Sequence, residues 1–111
     1  MSKLSRTKGH SFERWTAIAL RVVFPSARRH LEFQVDEAAL GIDLVNTGPY
    51  KIQCKRMKKY ASVAAIKEVA CDEAFGDVPI LITKADKDRV LVVMPFEEFL
   101  DLLRIKYTPP V

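Results

Sequence analysis

The stretch GIDLVNTGPYKIQCKR, residues 41–56, sets an aspartate, a glutamine and a lysine inside otherwise apolar runs. Asp43 is a hard anionic ligand, Gln53 offers a neutral amide oxygen and Lys55 carries a positive charge. Successive side chains on a strand point to opposite faces. Gln53 and Lys55 therefore share one face, and Ile52 and Cys54 the other. If the preceding run pairs so that Asp43 joins the face of Gln53 and Lys55, the three polar groups converge at one end of a sheet. A buried, unpaired charge costs several kcal/mol, and a cation at that point would remove the difficulty. Asp43 would bind it, Gln53 would add an oxygen, and the backbone carbonyl of Cys54 would supply a third. Oxygen ligands of this kind suit Mg²⁺ or Mn²⁺. Such a metal neutralises charge on a phosphate oxygen and acidifies water, while Lys55 would stabilise the charge developing on phosphorus. Taken singly, each residue has an ordinary structural explanation. Three together, followed by Arg56, Lys58 and Lys59, favour phosphodiester hydrolysis.

The elements that must position these groups follow from periodicity. Residues 1–9 read as a flexible basic arm, 10–106 as a single domain and 107–111 as a tail. Phe12, Trp15, Ile18, Ala19, Val22 and Val23 recur at spacings of three and four, which predicts a helix with those residues inward. Ser11, or else Gly9 or His10, is its expected N-cap, and Pro25 ends it. HLEFQV alternates as a strand, and DEAAL reads as a loop or a single turn. GIDLVN, the turn TGPY and KIQCKR predict a hairpin. SVAAIKEVACDEAF reads as an amphipathic helix closed by Gly76. VPILIT and RVLVVM are apolar at nearly every position and read as central strands. Pro95 opens a last helix, PFEEFLDLLRI, with two glutamates in its first turn. The order αβββαββα is an α/β domain with a mixed sheet flanked by helices.

Length and charge narrow the partners. A chain of 111 residues is one ordinary domain, and no apolar run approaches the roughly 20 residues needed to span a bilayer. The basic N-terminus lacks the apolar stretch of a secretory signal. Two cysteines without CxxC spacing argue against zinc and suit reduced thiols in a cytoplasm. The formal charge of +4 is uneven: residues 1–30 carry +6 and residues 51–59 carry +5, around an acidic stretch of −4 at 31–50. Two basic blocks suit a polyanion, with nucleic acid the first candidate. Arg6, Lys8, Arg28, Arg29, Arg56, Lys58 and Lys59 are the expected phosphate contacts, which position DNA without reading its sequence. His10 and His30 lack a nucleophile partner, Cys54 reads as core, and Trp15 reads as core rather than as a platform for bases.

GID, then QCK ten residues on, and the upstream KGHSFER resemble the PD-(D/E)xK nuclease superfamily in the form D-x9-Q-x-K. The GHSFER helix and short length are similar to Holliday junction resolvases of archaea and phage, and GIDL…IQCKR also resembles modification-dependent restriction nucleases. The specific part covers residues 8–60; residues 61–104 agree in element order alone. The resemblance implies a restriction-endonuclease-like core with Asp43 as the metal-binding aspartate and Lys55 as the motif lysine. Glu13 matches the helix glutamate that completes the metal shell. Gln53 departs from the pattern, which more often has an acid there; a neutral oxygen weakens metal affinity and puts a two-metal scheme in doubt.

The expectation is a Mg²⁺- or Mn²⁺-dependent endodeoxyribonuclease that resolves four-way DNA junctions in a prokaryotic or phage-infected cytoplasm. Cutting both strands of a junction symmetrically takes two active sites, hence a homodimer. The last helix, with Phe96, Phe99, Leu100, Leu103 and Ile105, is one candidate interface, although packing on its own sheet is the simpler reading. The alternatives are a general or modification-dependent duplex nuclease and a catalytically silent DNA-binding module of the same fold.

Overall fold

The structure, a computed structural model, describes residues 3–30 and 41–109. It is an α/β fold of helix α1 (Lys3–Leu20), strands β1 (Arg28–Arg29), β2 (Leu44–Val45) and β3 (Tyr50–Met57), two 3-10 segments (Val63–Glu68 and Glu73–Phe75), strands β4 (Val78–Ala85) and β5 (Val90–Val93), and helix α2 (Phe96–Tyr107). β3, β4 and β5 form a mixed sheet in that order, with β3 parallel and β5 antiparallel to β4. β1 and β2 form a separate antiparallel pair. The expected strand 30–35 and loop 36–40 fall, apart from His30, outside the described residues.

Helix α1 begins at Lys3, so residues 3–9 are helical rather than a flexible arm, and Ser11, like Gly9 and His10, lies inside the helix rather than capping it. Its buried stripe also has a different phase from the one predicted. Phe12, Thr16 and Ala17 are buried, whereas Trp15, Ile18, Val22 and Val23 are exposed. The stripe runs through a polar residue, which apolar periodicity overlooks. The Thr16 hydroxyl satisfies itself locally by donating to the Phe12 carbonyl at 2.8 Å. Thr16 can therefore be buried at little cost. The helix stops after Leu20, as Pro25 implies, with Val23 and Phe24 N–H groups bonding back to the Leu20 carbonyl.

The core lies between α1 and one face of the sheet. Phe12, Ala17, Leu44, Ile52, Ile80 and Ile82 pack together, with Leu20, Tyr50, Cys54 and Val90 around them. The parallel register sets Ile52 beside Ile80 and Cys54 beside Ile82. Gln53, Leu81 and Thr83 therefore look to the other face, where the Thr83 hydroxyl accepts from the Ala61 N–H at 3.1 Å. β4 is central and buried from Ile80 to Thr83, as its composition predicts. β5 is an edge strand instead of a central one, and Leu91 and Val92 are exposed.

The segment 62–75 is not one amphipathic helix. Ser62 and Asp72 each accept from the backbone N–H two residues on, at 3.2 and 3.0 Å, and these local bonds split it into two short 3-10 turns. Gly76 closes the second turn at φ 85°, as expected. Pro95 is the N-cap of helix α2, which begins one residue later than predicted, at Phe96, and runs through Tyr107, the first residue assigned to the tail. None of its residues is fully buried, and Phe96, Phe99, Leu102, Ile105 and Tyr107 are exposed, so it does not bury its apolar face on its own sheet.

The phase of α1 is testable by urea unfolding. Phe12→Ala should cost about 3–5 kcal/mol, and Trp15→Ala no more than about 1.5 kcal/mol. Equal losses would contradict the observed stripe.

Candidate active site

Asp43 is fixed by three hydrogen bonds at the edge of β3. Its N–H donates to the Ile52 carbonyl at 2.8 Å, and its own carbonyl accepts from the His30 N–H at 2.7 Å. Its carboxylate Oδ2 accepts from the Cys54 N–H at 2.7 Å. The predicted hairpin therefore exists in reduced form. The turn at 46–49 forms, with Gly48 at φ 62° and the Thr47 hydroxyl donating to the Tyr50 carbonyl at 2.7 Å. β2, however, takes its ladder from β1, with Arg29 opposite Leu44. One backbone bond and one carboxylate replace strand pairing along β3. In consequence Asp43 sits neither on the Cys54 face nor on the Gln53 face, but against the edge itself.

Electrostatics define the neighbours of this carboxylate. Asp43 is half-buried, and its pKa is pushed up to about 6, chiefly by loss of water. The Cys54 N–H opposes that shift, the charge of Glu13 adds to it, and Lys55 and Arg29 oppose it. Glu13 reaches this point from α1, and its Oε2 accepts from Arg29 Nε at 3.1 Å. Burial, with the negative charges of Asp43 and Glu13, also raises the Cys54 thiol, against a hydrogen bond with Thr16. Cys54 is thus a protonated thiol and no nucleophile.

Gln53 and Lys55 share a face, as predicted, and both turn to a residue that sequence reasoning missed. Glu68, at the end of the first 3-10 segment, accepts from Gln53 Nε2 at 3.0 Å and pairs with Lys55 Nζ at 3.2 Å, both through Oε2. These contacts hold the Glu68 carboxyl below its ordinary range. Gly41 makes room for it. At φ 74°, a Cβ on Gly41 would lie 2.5 Å from the Glu68 carbonyl oxygen and 3.5 Å from Gln53 Nε2. The other end of the Gln53 amide is unfinished: only 6% of the residue is exposed, and Oε1 has no hydrogen-bond partner among the described residues.

The oxygen donors at this point are few. Among the described residues, no three His, Cys, Asp or Glu side chains gather closely enough to hold a metal by themselves. The donors are two carboxylates, Asp43 and Glu13, of which Glu13 is shared with Arg29. A strand residue sends its N–H and C=O to the same side, so the Cys54 carbonyl leaves β3 beside Asp43. The Gln53 oxygen, buried and without a hydrogen-bond partner among the described residues, is on the sheet face away from α1.

The expected phosphate contacts divide into three groups. Lys8 and Arg56 both pair with Asp86, at 3.3 and 3.7 Å, and Arg29 is taken by Glu13. Lys58 and Lys59 are exposed beyond the end of β3. Arg28 is exposed and lines a cleft with Arg14, Ala17, Ile18, Arg21 and Arg29. The side chain of Arg6 lies outside the described residues. Arg14 and Arg21 were not singled out from sequence, although a spacing of seven places them on one side of a helix. No motif marks Glu68. His10 is exposed on α1, and Asp36 and Glu37 lie outside the described residues.

The buried carboxylate has a stability signature. Because its folded pKa exceeds the ordinary 3.8, the folded state binds more protons, and this favourable contribution is lost as pH rises through about 6. The loss is on the order of 2–3 kcal/mol by pH 7.5. In EDTA, urea unfolding should show wild type weaker at pH 7.5 than at pH 4.5, with Asp43→Asn shrinking that difference. An unchanged difference would contradict the burial of this charge.

The chain matches no protein-family model, no curated protein and no solved structure.

Proposed function

We propose that the chain is a metal-dependent DNA endonuclease, resembling the PD-(D/E)xK nucleases, that cuts four-way junctions as a homodimer. The observation that carries this reading is the Asp43 carboxylate, held against the edge of β3 within the fields of Glu13 and Lys55 and partly shielded from water. A carboxylate in that setting gains from a cation. Mg²⁺ or Mn²⁺ bound there supplies positive charge for a phosphate oxygen and acidifies water. Asp43, Glu13 and the Cys54 carbonyl would hold it.

The remaining work falls to charged side chains. Lys55, paired with Glu68 at 3.2 Å, would offer its ammonium to negative charge developing on a phosphate. Arg14, Arg21 and Arg28 flank the site through their cleft with Arg29 and would hold the DNA backbone. Lys58 and Lys59 would extend that track from the end of β3. The exposed apolar side of α2 supports the homodimer, since a helix with Phe96, Phe99 and Ile105 in water is a surface awaiting cover. No helix among the described residues is long and apolar enough to cross a membrane.

A second reading has its own support. Glu68 engages Lys55, Arg29 engages Glu13, and glutamine replaces an acid at Gln53. A site whose charges satisfy one another suits a module that binds DNA and no longer cuts it.

One assay separates the readings. A labelled four-way junction and its matched linear duplex are incubated with the protein in Mg²⁺ or Mn²⁺. Symmetric paired nicks in the junction alone are expected, and Asp43→Asn and Lys55→Ala should each slow cutting on the order of 10²- to 10³-fold. Equal cutting of both substrates would indicate a general duplex nuclease, and cutting confined to modified duplex a modification-dependent one. Binding without cutting would indicate the silent module. Cutting that survives Asp43→Asn would contradict the site.

A further inference from the structure

A cavity of about 320 Å³ lies between α1 and the far ends of the sheet strands, lined by Ser11, Phe12, Trp15, Arg56, Lys84 and Val90. The register explains its floor. Arg56 stands beside Lys84, and Lys84 beside Val90, on the face that carries Ile52, Cys54, Ile80 and Ile82. Along this face the apolar core gives way to two cations where the strands end. The roof is the first half of α1.

Trp15 is the unusual member. It is 55% exposed, whereas Phe12, three residues earlier, is 4% exposed. Their rings lie nearly parallel, 14° apart with centroids at 6.2 Å. A buried ring thus fixes the attitude of an indole that remains open to solvent. Burying an indole is among the largest apolar gains a side chain offers, and here the fold leaves much of it uncollected. The cations beside it are only partly satisfied. Arg56 Nε is buried without a hydrogen-bond partner among the described residues, and its terminal nitrogen stands 3.7 Å from Asp86. Lys84 Nζ donates to the Ala85 carbonyl at 3.2 Å. Lys8 also pairs with Asp86, so three cations face one acid at this end of the cavity.

We infer that this cavity receives an unpaired nucleotide of a DNA strand, with the base stacked on Trp15 and the adjoining phosphate between Arg56 and Lys84. The occupant must be flat, aromatic and anionic to match an open indole face beside excess positive charge. A cavity of this size lies at the lower end of those that hold small ligands, which suits a single nucleotide rather than a duplex. Arg56 directly follows Lys55 in β3, so its side chain leaves the sheet on the face opposite Lys55, and the cavity lies across the strand from that lysine. The assignment rests on the DNA reading above, but requires neither metal nor cleavage.

Trp15 is the sole tryptophan of the chain, so its fluorescence reports on this cavity alone. The Asp43→Asn protein in EDTA is titrated with a single-stranded thymidine oligonucleotide. Parallel titrations use an abasic strand of equal length, the matched duplex and free thymidine monophosphate. The oligonucleotide should quench the emission saturably, and the three other probes should quench it far less at equal concentration. By anisotropy of a labelled oligonucleotide, Trp15→Ala should weaken binding about 5- to 100-fold. Trp15→Phe should restore most of the affinity, and Arg56→Ala and Lys84→Ala should each weaken it. Thermal unfolding confirms that the variants are folded. Emission unchanged by a strand that binds, equal affinity for the abasic strand, equal quenching by the duplex or free nucleotide, full affinity in a folded Trp15→Ala, or no binding at all would each overturn the assignment. Quenching in a protein that never cuts DNA would leave the cavity standing and remove only the nuclease reading.

Discussion

The candidate site depends on one hydrogen bond, from the Cys54 N–H to the Asp43 carboxylate at 2.7 Å. An edge strand must satisfy its outward N–H and C=O groups. Here Asp43 does so with its backbone at Ile52 and its side chain at Cys54. A carboxylate used in this way cannot swing out to solvent without exposing the strand edge. It is held in place by the same bond that completes the sheet, and it is charged at a point the fold has made poor in water. That combination separates Asp43 from the solvated acids among the described residues.

The second constraint is the clamp around Glu68. Gln53 and Lys55 leave β3 on one face and meet a single carboxylate oxygen. Gly41 allows the backbone of the 3-10 segment to approach closely enough for that meeting, at a φ that disfavours any residue with a Cβ. The clamp fixes the lysine and, by spending the amide nitrogen of Gln53, turns the opposite end of that side chain into a buried acceptor without a donor among the described residues. Positioning and dissatisfaction therefore arise from the same contact. Glu13 and Arg29 form a matching pair on the α1 side, so the charges near Asp43 are arranged in couples rather than left bare.

How much of this was legible in the sequence differs by element. Asp43, Gln53 and Lys55 stood out because polar residues interrupt strand-like apolar runs, and the shared face of Gln53 and Lys55 follows from alternation alone. The turn before Tyr50, the central strand β4 and the opening of α2 by Pro95 also follow from local chemistry. The edge position of Asp43 does not, because it depends on β2 pairing with β1 instead of β3. Glu68 was invisible because its role comes from a 3-10 turn that replaces the expected helix. The phase of α1 does not follow from apolar periodicity, because its buried stripe includes Thr16, a polar residue that satisfies itself within the helix. The exposure of Trp15 follows from that shift, since rotating the stripe toward Thr16 turns the indole outward.

The most direct test of the central claim is the map of Mn²⁺ broadening in the amide NMR spectrum of the full chain. The account predicts that substoichiometric Mn²⁺ first erases the backbone signals of Asp43, Cys54 and Lys55 and the side-chain amide of Gln53, and that Asp43→Asn abolishes this pattern. Broadening centred instead on the exposed acids Asp72 and Glu73, with the Asp43 and Cys54 signals intact, would contradict it.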